Sequence, residues 1–143
     1  MVIKRTLYDF LVNSCVTAPP EMGGILGMTG GVVTALHMDF YNTIEKTRAI
    51  YEPNTSLLNH QIALWRKNNI IFAGIFHTHP FKQPTLSEGD NQYIKQIMGA
   101  MPQTVNSLFF PIIIPKNKIY SYYAERDLAT KEIVIYADTI KLI

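Results

Sequence analysis

The apolar residues change period several times along the chain, and each change marks an element. Ile3, Leu7, Phe10 and Leu11 recur at helical spacing over residues 3–16, and the two prolines of TAPPE stop that helix. GGILGM (23–28) and GVVTALHM (31–38) are strand-like runs flanking Thr29-Gly30, and with Gly31 they predict a tight hairpin. TRAIYE (47–52) predicts a further strand. After Pro53, Asn54 or Thr55 can cap a helix running to about Lys67, with Leu58, Ile62 and Trp65 as its apolar stripe. Asn68-Asn69 end it, and IIFAGIF (70–76) follows as an apolar strand, the pattern expected when both faces are covered. A helix from about Glu88 to Met98 comes next. Strands follow at SLFFPIII (107–114), KIYSYYA (118–124) and EIVIYA (132–137), the first two joined by a PKNK turn. This order predicts an α/β fold, a single mixed, mostly antiparallel sheet with about three helices packed on it.

Bulk properties narrow the class. With 143 residues the length predicts one domain over 1–143, able to bury roughly two-thirds of its unfolded surface. Apolar residues make up 48% and charged residues 17%, which excludes a disordered tail. The net charge of +2 comes from scattered lysines and arginines, whereas a nucleic-acid surface would show a patch or stripe. The single cysteine, Cys15, excludes an internal disulfide and fits a reducing compartment. MVIKRTLYDFLVNS carries no continuous apolar core of a signal peptide, and IIFAGIF is too short to span a bilayer. These features predict a soluble, cytoplasmic protein without nucleic-acid or membrane partners.

The chemistry concentrates in HTHPFKQPTLSEGD, residues 77–90. IIFAGIF runs straight into His77-Thr78-His79, and residues i and i+2 of a strand face the same side, so the two imidazoles can converge on one ion. Pro80 cannot donate to a sheet ladder, so the strand should end there and expose the pair at its tip. The loop 81–86 can then return a third, anionic ligand, for which Asp90 is the candidate. A plainer reading treats Ser87 and Asp90 as a helix-start box, the serine capping and the acid favouring the positive helix end. The two readings are compatible, because a cap would fix Asp90 in the first turn, close to the strand tip. Two other His-x-His chemistries fail on spacing. A cupin would place a glutamate soon after the pair, and Glu88 lies too far along. A metallo-β-lactamase-like site would place Asp-His where Pro80-Phe81 stand.

Three protein ligands leave a fourth position for water, the catalytic pattern, and such a site needs a nearby base that is not itself a ligand. Glu21, in PPEMGGILG, is the candidate; read alone it would be an ordinary loop acid. Gly23 and Gly24 would let another backbone or a substrate approach closely.

An early glutamate followed by GGIL, then His-Thr-His-Pro, six residues, Ser, two residues and Asp resembles the motif of the JAB/MPN+ (JAMM) zinc metallopeptidases, over nearly the whole chain. The resemblance implies the compact prokaryotic JAB type, with an MPN/cytidine-deaminase-like architecture. It implies that His77, His79 and Asp90 bind Zn2+, that Glu21 activates water, and that Ser87 steadies the oxyanion. It also implies cleavage of a peptide or isopeptide bond, often after the glycine-rich tail of a ubiquitin-like protein. A ubiquitin-like or sulfur-carrier tail is the expected substrate, and an E1-like enzyme a possible further partner. Eukaryotic relatives carry an insertion after the aspartate helix that grips a distal ubiquitin. Residues 91–110 have little spare length for one.

Two other functions stay open at this point. Non-catalytic MPN scaffolds only bind partners, and they typically lack members of the ligand set that is complete here. A RadC-like protein shares His-x-His-Pro and Ser-x-x-Asp, but the weak basic charge and missing helical DNA-binding module count against it. The remaining candidates read as packing or surface residues. His37 alternates with Val33 and Ala35 on a strand, and His60 lies on the helix carrying Leu58 and Trp65. Cys15 reads as a small apolar side chain and Trp65 as core, while Tyr120, Tyr122 and Tyr123 suit a half-buried sheet.

Overall fold

The computed structural model describes residues 1–16, 20–39, 51 and 53–143. Among these the chain runs β1 (Val2–Ile3), α1 (Arg5–Ser14), β2 (Gly23–Thr29), β3 (Val32–Asp39), α2 (Thr55–Lys67) and β4 (Ile71–Thr78). It continues with α3 (Glu88–Ala100), β5 (Ser107–Phe109), β6 (Ile112–Ile114), β7 (Lys118–Arg126), β8 (Ile133–Asp138) and β9 (Lys141–Leu142). The strands form one mixed sheet. From one edge they run β9, β1, β3, β2 and β4, then β5 and β6 in succession between β4 and β7, with β8 outside β7. The β2–β3, β2–β4, β5–β7, β6–β7 and β7–β8 pairs are antiparallel, and the pairs of β1 with β3 and β9 and of β4 with β5 and β6 are parallel. The expected mixed, mostly antiparallel sheet with three helices is therefore what forms.

Two elements depart from the apolar pattern. Ile3 belongs to β1 and not to the first helix, because it pairs with Val33 of β3 and Leu142 of β9 and is fully buried there. SLFFPIII is two short strands. Pro111 has no N–H to give, so the ladder breaks between Phe109 and Ile112 while both pieces stay between β4 and β7. Asn54 is the α2 cap, its side chain accepting from Leu57 N–H. The strand predicted at TRAIYE lies almost wholly outside the described residues.

Strand alternation divides the core between the two faces of the sheet. One face packs Leu26, Phe76 and Ile113 against Leu11, Val12 and Cys15 of the α1 segment. The other packs Ile25, Ile75 and Phe110 against Leu58 and Trp65 of α2 and Ile94 and Met98 of α3. Gly74 in β4 is required by packing, since a Cβ there would overlap the Phe109 carbonyl of β5. Each fully buried aliphatic or aromatic side chain contributes roughly 1.5–3 kcal/mol of transfer free energy. These two layers therefore make the platform on which the tip of β4 is fixed.

Candidate metal centre

Antiparallel pairing of β2 with β4 sets Gly23, at the start of one strand, opposite His77, near the end of the other. Glu21, two residues before Gly23, consequently sits beside the tip of β4. The fit is fixed by Thr78, which is buried. Its N–H donates to the Met22 carbonyl, and its Oγ1 accepts from Met22 N–H, both at 2.8 Å. His77 and Thr78 pair with Ile112 and Ile113, and His79 N–H donates to the Ile113 carbonyl. Extended pairing thus carries the chain past both histidines before Pro80 ends it.

The loop after Pro80 returns under restraint. Gln83 N–H donates to the Pro80 carbonyl, and the Tyr122 hydroxyl donates to the Pro84 carbonyl. Ser87 then starts α3 with a complete capping box. Asp90 N–H donates to Ser87 Oγ at 3.1 Å, and Ser87 N–H and Oγ both donate to Asp90 Oδ2 at 2.7 Å. The helix-start reading is right, and the cap is compatible with the site reading. The cap binds one edge of the Asp90 carboxylate and turns the group toward the histidines.

Four side chains meet. His77 Nε2 lies 2.9 Å from His79 Nε2 and 3.1 Å from Asp90 Oδ1, and His79 Nε2 lies 3.3 Å from Asp90 Oδ2. Glu21 Oε1 stands 4.0 Å from His79 Nε2, and its Oε2 accepts from Tyr51 N–H. His79 Nδ1 is 2.8 Å from the Gln83 carbonyl, which can only accept. The hydrogen is assigned to Nδ1 on that ground, so a neutral His79 presents its Nε2 lone pair to the cluster. A second partner that fixes the ring in this way is typical of histidines that bind metals.

Two ring nitrogens and a carboxylate facing one another hold together only with a proton or a cation among them. Burial would raise Asp90, but hydrogen bonds to His77 and His79 and the Ser87 N–H outweigh it and hold the carboxyl well below the usual carboxylate range. Burial would likewise lower His79, yet Asp90, the Gln83 carbonyl and the Glu21 charge together bring it out above its ordinary value. Glu21 is raised, chiefly by burial, with the His77 charge and the Tyr51 N–H pulling the other way. The negative groups that favour a proton on His79 would also favour a cation that takes its place.

Glu21, His77 and His79 form a group able to hold a metal ion, one ligand atom from each lying within 4.8 Å of the others. That spread admits Glu21 as a ligand, whereas the individual distances rank Asp90 ahead of it. Ligand atoms set tetrahedrally around zinc at its usual bond lengths stand roughly 3.3 Å apart. The 2.9, 3.1 and 3.3 Å separations among His77, His79 and Asp90 are close to that edge, and the 4.0 Å to Glu21 is beyond it. The closer contacts carry more weight here, since a first coordination shell has little slack. The donor set, two imidazoles and one carboxylate, suits zinc.

A cleft of about 250 Å³ opens beside the cluster, with Glu21, His77, Ser87 and Asp90 along one side. Ile75, Tyr93, Ile94, Phe110, Tyr51 and Pro53 also line it. Tyr51 covers Gly23 closely enough that a Cβ there would overlap its ring. The close approach expected at the glycines is thus made by the protein's own side chain. The Tyr51 hydroxyl donates to Asp39, which also receives Asn54 N–H at the start of α2.

All five motif positions, Glu21, His77, His79, Ser87 and Asp90, come together. Thr78 and Tyr51 were not among the predicted site residues. Alternation gave a hint of Thr78, the residue between the histidines that must face the opposite core. Nothing local marked Tyr51, which lies 30 positions from the carboxylate it contacts. Of the other histidines, His60 is exposed and His37 half-buried. Cys15 is buried, and burial pushes its thiol up to about 11, as suits a packing residue.

Residues 4–126 match a family described as prokaryotic homologs of the JAB domain. No curated protein matches the sequence. The chain is similar to a protein of Desulfitobacterium hafniense solved in solution, at 18% identity, 99% coverage of this chain, 92% of that one and a TM-score of 0.67. A Salinibacter ruber protein solved in solution is similar at 16% identity, covering 98% of this chain and 90% of that one, with a TM-score of 0.57. A crystal structure of a JAB1/MPN domain protein from Archaeoglobus fulgidus is similar at 16% identity, over 100% and 97% of the two chains, with a TM-score of 0.50. At these identities the likeness concerns the fold.

Proposed function

The chain belongs to the family of prokaryotic JAB-domain homologs, and from that premise we propose that it is a zinc-dependent metallopeptidase or isopeptidase. The observation that carries this reading is the triangle of His77, His79 and Asp90, with Glu21 held just outside it. His77, His79 and Asp90 would hold zinc. When bound, the ion supplies a Lewis acid that polarises the scissile carbonyl and acidifies water.

The chain's own residues handle the protons. Glu21 Oε2 is occupied by Tyr51 N–H, so Oε1, which faces the imidazoles, takes the proton as water attacks the carbonyl carbon. Burial raises Glu21, which suits a group that must hold this proton and then release it. The C–N bond breaks as Glu21 hands the proton to the leaving nitrogen. Ser87 Oγ would donate to the carbonyl oxygen as it gains charge. Its hydrogen must first turn away from Asp90, which keeps the Ser87 N–H when it does.

We place the cut at the C-terminal tail of a ubiquitin-like or sulfur-carrier protein. Support comes from the connection 101–106 between α3 and β5, too short to house a further binding element. Metal analysis of the purified protein should find about one zinc per chain. Cleavage of a fusion just after the terminal glycines of a cognate ubiquitin-like protein should stop with a chelator and return with added zinc. Cleavage continuing after verified zinc removal would refute the mechanism.

A further inference from the structure

The cleft beside His77 and Asp90 is mostly apolar beyond its reactive wall. Ile75, Ile94 and Phe110 are almost completely buried and form one wall, with Tyr93 beside them. A volume of about 250 Å³ falls below the roughly 300–1,000 Å³ of sites that enclose a whole small ligand. It suits a single side chain. Gly89 also lines it, in the first turn of α3, one turn before Tyr93 on the same helix face. No left-handed backbone demands glycine at that position, and glycine is the poorest helix former after proline. A Cβ there would meet only Ser87 Oγ, at an ordinary 3.7 Å. Neither the backbone nor a tight contact therefore accounts for this glycine. What a side chain would take is space in the cleft.

We propose that this cleft is a side-chain subsite for the residue following the scissile bond, selecting a leucine- or phenylalanine-sized apolar group, with Gly89 keeping its mouth open. The inference rests on the peptidase reading and adds a substrate preference to it. A tail ending in glycine brings no side chain of its own to the cleft. The leaving nitrogen must approach Glu21, which lines the same cleft, and the side chain of its own residue begins only two bonds further on.

The test has a binding arm and a cleavage arm. Leucinamide, phenylalaninamide and glycinamide, which mimic the start of the released segment, are titrated into the zinc-loaded protein and followed by NMR shifts of the Ile75 and Ile94 methyls. Leucinamide and phenylalaninamide should bind at least about tenfold more tightly than glycinamide, the least an apolar pocket gives for added methylenes. Gly89→Ala should weaken them, and Gly89→Leu should abolish the difference. Gly89→Ala introduces only an ordinary contact and a better helix former, so it keeps a folded variant in the series. Equal binding of all three amides, or undiminished selectivity in a folded Gly89→Leu variant, would overturn the subsite. In parallel, ubiquitin-like fusions with Leu, Phe, Gly or Asp after the terminal glycine are tested for chelator-sensitive cleavage. Selective binding with no zinc-dependent cleavage of any fusion would overturn the peptidase reading and the position after the bond, while the pocket's selectivity would stand. Cleavage indifferent to the following residue would overturn the preference alone.

Discussion

The two faces of the sheet use the same alternation in β4 and end in different chemistry. Toward α1, Phe76 joins an apolar layer, and the next residue outward on that face, Thr78, is a buried hydroxyl that bonds the Met22 backbone. Toward α2 and α3, Ile75 joins the second layer, and the next residue is His77, with His79 beyond it. One face therefore closes with a clamp and the other opens into a polar cluster and a cleft. A period of two lets three consecutive residues hold and react at once. Thr78 fixes Glu21 beside the strand from one side, while the histidines face it from the other.

The largest break in that contrast comes from the open face. A folded His77→Ala/His79→Ala variant should lose its zinc and all chelator-sensitive cleavage; metal analysis alongside circular dichroism checks this, and full zinc retention would sink the assignment. On the closed face, Phe76→Ala should cost about 3–5 kcal/mol in urea unfolding, the usual cost of truncating a buried aromatic, while the molecules that remain folded still bind zinc. Thr78→Val keeps the shape of the clamp and removes its acceptor. Leaving the Met22 N–H without its partner should cost about 1–3 kcal/mol. Turnover should fall as Glu21 loosens, with zinc content unchanged; turnover equal to the parent would show that the clamp does not position the base. The smallest effect belongs to His60→Ala, on the exposed side of α2, where stability should stay within about 0.5 kcal/mol and zinc should be retained.

How much of this could be read from the sequence depends on how local the cause is. His77, His79, Ser87 and Asp90 share fourteen residues governed by strand alternation, a proline stop and a capping box, so their clustering is legible locally. Glu21 was reached through the motif, and its placement depends on the register of β2 against β4. Ile3 looked helical because a two-residue strand has no period of its own and exists only through pairing with β3 and β9. Pro111 was visible within SLFFPIII, yet the split it causes shows only once both neighbouring strands are present. Tyr51 illustrates the limit. Its backbone holds Glu21, its ring covers Gly23 and its hydroxyl rests on Asp39, three contacts assembled by the fold that leave no pattern in the residues around it.

The central claim is that Glu21 works beside the metal ligands without being one of them. The most direct measurement pairs zinc content with turnover for Glu21→Gln and Asp90→Asn, made in one preparation and assayed on one substrate. Glu21→Gln keeps the shape of the side chain and removes the proton acceptor. It should retain about one zinc per chain while hydrolysis falls by roughly 10²–10⁴-fold, the usual share of a general base. Asp90→Asn exchanges a charged ligand for a neutral one and should lose zinc and activity together. A Glu21→Gln protein that turned over like the parent would make Glu21 an ordinary loop acid. One that lost its zinc while remaining folded would make it a ligand, and the division of roles between Glu21 and Asp90 would be wrong.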